Sequence, residues 1–152
     1  MDAIQLLKAD HKLVKRLLAE LTETSERATK KRTLLLQEIQ IDLSVHTTIE
    51  EELFYPAIKA AGKKQETKMY FEALEEHRAV EELVLPDLLS TDAGSDSFSG
   101  RAKVLRELIE HHADEEESKM FKDAKALMSK EQLRELGAQM AQRKQELLDK
   151  RT

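Results

Sequence analysis

A repeat at long offset constrains this chain more than any other feature of its sequence. His11, His46 and Glu50 recur as His77, His112 and Glu116, an offset of 66 residues. Each half reads His, 35 residues later His, and four later Glu. A period that long means two copies of one supersecondary unit rather than a solenoid. The flanks keep the register, with Val14 on Val80, Leu17 on Leu83, Leu18 on Val84, Glu51 on Glu117 and Tyr55 on Phe121. Four of the five histidines obey the repeat. It also separates two neighbours, because His112 with Glu116 is in register while His111 with Glu115 is one residue off.

Apolar residues recur every three or four positions through both copies, the spacing of one helix face. The faces are Ile4, Leu7, His11, Val14, Leu18 and Leu21 in residues 3–24, then Leu35, Ile39, Leu43, His46, Glu50, Leu53 and Ala57 in 30–61. In the second copy they are Tyr70, Ala73, Leu74, His77, Val80, Val84 and Leu88 in 66–90, then Leu105, Leu108, Ile109, His112, Glu116, Met120 and Leu127 in 99–128. Gly62 is a natural stop, residues 90–100 read as a loop, and Ser129 with Gln132 resembles a capping box. That box starts a short fifth helix, about 130–149, with no partner in the repeat. The chain is one domain, 1–152, with repeat units 3–61 and 66–128. Pro56 and Pro86 each remove a backbone donor and crowd the carbonyl four residues back, so a kink is expected beyond each histidine-bearing stretch. Only 4% of residues are aromatic and 36% are charged, a Leu-, Ala-, Glu- and Lys-rich profile that favours an all-α bundle.

Charge and missing residue types narrow the function. A net charge of −5 argues against a nucleic-acid partner, which usually meets a basic face. Lys30, Lys31 and Arg32 read as solvated charges at a helix start. With no cysteine, disulfides and thiolate metal sites are impossible, and any metal needs nitrogen and oxygen ligands. No apolar run approaches the roughly 20 residues of a membrane span, and the first residues do not form a signal peptide. A soluble cytoplasmic protein without membrane association is expected.

A residue and its i+4 neighbour share a helix face with Cβ atoms about 5–6 Å apart, so His46/Glu50 and His112/Glu116 are each a chelating half-site. With His11 and His77 they bring four imidazoles and two carboxylates to one bundle centre, enough for two bridged metal ions. One histidine in an apolar stripe is most often plain packing. Six residues obeying one register favour metal, because an unpaired buried carboxylate is costly and no Lys or Arg shares these stripes. The zinc hydrolase pattern His-Glu-x-x-His is absent, and six nitrogen and oxygen ligands suit iron better.

Three stretches carry a family resemblance: His46-Thr-Thr-Ile-Glu50-Glu51-Glu52-Leu53-Phe54-Tyr55-Pro56, Leu74-Glu75-Glu76-His77, and Glu110-His111-His112-Ala113-Asp114-Glu115-Glu116-Glu117. In these the chain resembles the hemerythrin family, and more closely its bacterial HHE cation-binding branch. The resemblance implies an up-down-up-down four-helix bundle around a non-haem, carboxylate-bridged di-iron site. It implies His77 and His112 on one iron, His11 and His46 on the other, and Glu50 and Glu116 bridging both. The oxygen-carrying members have a histidine where this chain has Glu81, and end in His-x4-Asp where this chain has His-x3-Glu. Glu81 is then an added carboxylate ligand or a solvated helix residue. More carboxylate and less histidine favours the ferric state, since hard anionic oxygen stabilises the higher charge.

The reading that follows is a di-iron protein that binds, senses or reduces a small ligand, namely O2, NO or peroxide, or that handles iron. An oxidative enzyme, ferroxidase or catalase-like, is the alternative and needs a proton donor, for which Tyr55, Tyr70 and Glu81 are candidates. A metal-free interaction module, using Met69, Met120, Met128 and Met140 as an adaptable surface, is a third. Consecutive helix residues point about 100° apart and cannot share one site. His112→Ala should therefore halve or abolish metal uptake while His111→Ala leaves it intact, read by metal content after gel filtration. Equal losses would show that the repeat was misread.

Overall fold

The computed structural model describes residues 1–151, which form helices and no strands. Five long helices follow one another: α1, Ala3–Glu23; α2, 29–61; α3, 64–89; α4, 96–127; and α5, Lys130–Asp149. None of the described helices is long and apolar enough to cross a membrane. Side-chain caps fix several starts. Asp2 and Gln5 form a capping box on α1, and Ser129 and Gln132 form the expected one on α5. Ser95 accepts from the Phe98 N–H, so α4 begins inside the segment expected to be loop.

The bundle has two apolar cores with the polar centre between them. One gathers Leu7, Phe54, Tyr55, Ala73, Phe121 and Met140; the other gathers Leu18, Ile39, Leu88, Phe98 and Leu105. Along α1 and α3 the first core precedes the second, and along α2 and α4 the order is reversed, so successive helices run in opposite directions. The histidines and Glu50 and Glu116 lie where each helix crosses from one core to the other.

The fifth helix has the expected bounds but is not short beside the others. At 20 residues it matches α1, at 21, and it packs along α1 and α2. Leu133, Leu136 and Met140 join the first core, so α5 seals the α1–α2 side of the bundle. Gly137 makes this approach possible: a Cβ there would stand 2.6 Å from the Asp2 carbonyl carbon and the Met1 oxygen. The methionines are not a docking surface either. Met120 and Met140 are buried, and Met69 and Met128 pack against the same core.

Arg32 also departs from its expected place. Lys30 and Lys31 are exposed, but Arg32 is buried at the far end of the bundle. It donates to the Thr24 hydroxyl and carbonyl, the Ala93 carbonyl and the Ser99 hydroxyl, with its guanidinium 5.0 Å from the Phe98 ring centre. Through these four hydrogen bonds the guanidinium ties the 24–28 and 90–95 connections together.

Neither proline breaks its helix. The chain widens into a π turn just before each, at Glu50–Phe54 and Val80–Val84, and the Tyr55 and Leu85 N–H groups bond the carbonyls five residues back. A third π turn, Glu116–Met120, has no proline, so the ring is not the general cause. Two of the three begin at Glu50 and Glu116 themselves, and π turns tend to occur at functional positions. Because α1 has no π turn, the repeat slips in the other pair of helices. Leu18 and Leu21 are matched in the core by Leu85 and Leu88, one residue beyond the 66-residue offset, and Leu83, the counterpart of buried Leu17, faces solvent.

The Gly137 contact is with backbone atoms that cannot rotate away. Gly137→Ala should lower stability by about 1–3 kcal/mol through overpacking, although alanine is the better helix former by about 1 kcal/mol. Denaturant unfolding checks this, and a gain in midpoint would show that the N-terminal segment yields.

Candidate metal centre

Four helices deliver one imidazole each. His11 and His46 pack ring to ring at 5.0 Å between centres, and His77 and His112 at 5.1 Å. Their Nε2 atoms face inward onto the two glutamates. His46 Nε2 and His77 Nε2 each lie 3.2 Å from Glu50 Oε1. His11 Nε2 lies 3.1 Å from Glu116 Oε1, and His112 Nε2 lies 3.4 Å from Glu116 Oε2. Glu50 is fully buried. Two donor sets result, each within 4.8 Å: His11, His46, Glu50 and Glu116, and Glu50, His77 and His112.

The Nδ1 atoms face outward, each onto a carboxylate. His11 Nδ1 is 2.8 Å from Glu117, His46 Nδ1 2.9 Å from Asp10, His77 Nδ1 2.9 Å from Glu51, and His112 Nδ1 3.3 Å from Glu76. An ionised carboxylate only accepts, so each Nδ1 carries the proton and each neutral imidazole turns its Nε2 lone pair inward. This is the arrangement by which outer carboxylates orient metal-ligating histidines. The sequence reading missed these four as partners, yet the repeat contains the signal: Asp10 falls on Glu76, and Glu51 on Glu117.

Five of the inner donor atoms are without hydrogen-bond partners. His11 Nε2, His46 Nε2, both Glu50 oxygens and Glu116 Oε1 are buried and lack a hydrogen bond, because their contacts converge without hydrogen-bond geometry. Leaving five such atoms unsatisfied is costly, and a cation between them satisfies all of them. The donor set is nitrogen and carboxylate oxygen alone, which fits a transition-metal ion of intermediate hardness.

Other candidate residues sit around this centre. Glu81 belongs to neither donor set; it is half-buried and accepts from the Thr47 hydroxyl. His111 projects outward and pairs with Glu115 at 3.2 Å, away from the donors. The Tyr55 hydroxyl donates to Glu116 Oε2 at 2.6 Å and lies 3.2 and 3.4 Å from the Nε2 atoms of His77 and His112. Burial, with the Glu50 and Glu116 carboxylates beside it, pushes that phenol well above its usual range, so it keeps its proton. Tyr70 touches the Tyr55 ring edge-on. A cavity of about 140 Å³ is lined by the four histidines and His111, by Val14, Leu43, Val80 and Leu108, and by Asp10, Thr47, Glu76 and Glu81.

Comparison with known proteins agrees with this geometry. Residues 2–124 match the Hemerythrin HHE cation binding domain. The chain belongs to that family. The uncharacterized protein Rv2633c of Mycobacterium tuberculosis is 33% identical over 148 residues, covering 97% of this chain and 88% of the relative. The crystal structure of a Hemerythrin HHE cation binding domain-containing protein from Mycobacterium kansasii, an Rv2633c homolog, superposes with a TM-score of 0.84. It is 32% identical, with 97% of this chain and 87% of that one covered. A DNA nickase from Nostoc sp. is 26% identical over 133 residues, but the match spans only 36% of its length. As an HHE protein the chain has buried His/Glu clusters that suit a cation.

Electrostatics sets the pH dependence. Burial opposes charge on His46, yet the Glu50 charge and the Asp10 hydrogen bond push it up to about 10. Burial is likewise outweighed at His77, by Glu50 and Glu51, to about 9, and at His112, by Glu116 and Glu76, to about 11. From the sequence alone, competition between protons and metal is expected only as pH falls below about 6.5. The raised values extend it into the alkaline range. These imidazoles stabilise the metal-free fold fully below 6.5, and that contribution is lost as pH rises through 9–11. Metal must displace the same protons, so its affinity rises over this window. Chelated protein should melt lower at pH 9 than at pH 7, and the gap to metal-loaded protein should widen; thermal unfolding at both values checks this. A gap that does not change with pH would sink it.

Proposed function

We propose that this HHE protein houses two non-haem iron ions bridged by carboxylates and that it binds or reduces a small oxygen- or nitrogen-containing ligand. The convergence of unpartnered buried donors in two sets sharing Glu50 carries the reading. His11 and His46 would hold one ion, His77 and His112 the other, with Glu50 and Glu116 spanning both. Iron supplies redox chemistry and a Lewis-acidic position for the ligand. The protein's part is to hold the donors and orient the imidazoles through Asp10, Glu51, Glu76 and Glu117. The apolar walls of the cavity over the histidines support a ligand that is small and uncharged, such as O2, NO or hydrogen peroxide.

A second reading, peroxide turnover or ferroxidase chemistry, is favoured by Tyr55. A phenol hydroxyl in contact with Glu116 and two ligand imidazoles places a hydrogen-bonding O–H beside the centre, where it could hold a reacting oxygen or relay a proton. Steady consumption of hydrogen peroxide that falls at least tenfold in Tyr55→Phe, with metal content unchanged, would select this reading over simple ligand binding.

The shared carboxylate makes a stoichiometric prediction. The protein should take up about two iron atoms, and Glu50→Ala should lose both together, because Glu50 belongs to both donor sets. Iron analysis and the visible spectrum of anaerobically purified protein, before and after air, test it. One iron held tightly by the Glu50→Ala variant would contradict a bridging role.

A further inference from the structure

The two halves of the centre share their inner donors but not their surroundings. Asp10 and Glu76 are equivalent in the repeat and orient His46 and His112. The Asp10 side chain is 9% exposed and accepts a further bond, at 2.5 Å, from Lys144 Nζ of α5. The Glu76 side chain is 42% exposed, and no helix equivalent to α5 covers it. His112 is half-buried, whereas the other three ligand histidines are buried.

The flanks differ in the same sense. Between α3 and α4 a cleft of about 40 Å³, lined by Glu72, Glu76 and Glu115 with one cation, Lys119, paired to Glu115 at 3.4 Å, leads to His112 and Glu116. The repeat counterparts of Glu72 and Glu115 are Leu6 and Ile49, both buried in the core that α5 completes. One half therefore opens to solvent through carboxylates, and the other is closed by apolar side chains and the Lys144–Asp10 pair. The family match ends at residue 124, before α5 begins, so the closing element lies outside the matched segment.

We propose that the two metal positions differ in exchange: the His11/His46 position is retained, while the His77/His112 position exchanges, with divalent cations passing through the acidic cleft between α3 and α4. Lys144 is a positioning residue. It fixes Asp10, which fixes the His46 ring, so that the ligand stays aimed when its metal momentarily leaves. The inference rests on the di-iron reading.

The test is anaerobic release of iron from protein loaded with two equivalents of Fe(II) into excess chromogenic chelator. Two phases of one iron each, at least tenfold apart in rate, are expected. Lys144→Met should speed the slow phase alone, Lys144→Arg should restore it, and Glu72→Gln with Glu115→Gln should slow loading of the fast-exchanging ion alone. A single release phase in the unmodified protein, or equal acceleration of both phases by Lys144→Met, would overturn the proposal. Crystals carrying one equivalent of Fe(II) give a readout that needs no variant. The ion is expected on His11 and His46, and finding it on His77 and His112 would be decisive against. Saturation at one iron would remove the di-iron reading itself, and this inference with it.

Discussion

Everything in this bundle is arranged around two carboxylates that cannot be solvated. Glu50 and Glu116 lie at the crossing between two apolar cores, where an unpaired negative charge is among the most expensive things a protein can bury. The four imidazoles answer that charge whether or not metal is present. Protonated, they oppose it directly; neutral, they offer lone pairs to a cation that does so more strongly. The outer carboxylates then keep each ring turned the useful way. Helix direction, π turns and capping all serve to bring six donors from four helices into one layer.

Much of this was legible in the sequence because a duplicated pattern is hard to produce by accident. The register distinguished His112 from His111 and gave the helices to within a few residues. What it did not give was decided by tertiary contact. Arg32 looked like one of three surface charges, since nothing in local sequence says that two distant connections will close over it. The bounds of α5 were legible but its role was not, because its apolar residues are sparse and matter only through the surface of α1 and α2 they cover. Glu81, which the resemblance offered as an added ligand, has its carboxylate engaged by Thr47 and belongs to neither donor set. The prolines signalled irregular backbone correctly in place but not in kind: the helices widen by a residue and continue.

The symmetry of the centre is deepest at the ligands and fades outward. Inner donors and orienting carboxylates pair across the repeat, but Tyr55 and Phe121 already differ. The first donates a hydrogen bond to Glu116, and the second stacks parallel to His11 at 5.8 Å. Farther out, α5 covers one half only, and the π turn of α3 adds a residue that α1 lacks. A duplicated scaffold thus presents one chemistry in two environments.

The placement of the polar layer bears on how the chain comes apart. With apolar packing concentrated in one cluster on each side, the centre is the joint through which the two ends feel each other. An occupied centre makes the bundle a single cooperative unit. Emptied, the joint is held only by contacts between imidazoles and carboxylates, which weaken as the imidazoles lose their protons, and each end would then behave more nearly as a separate foldon. The end closed by α5 has more to hold it than the end pinned by Arg32, so transient opening in the emptied protein would begin at the 24–28 and 90–95 connections and proceed inward to the histidines.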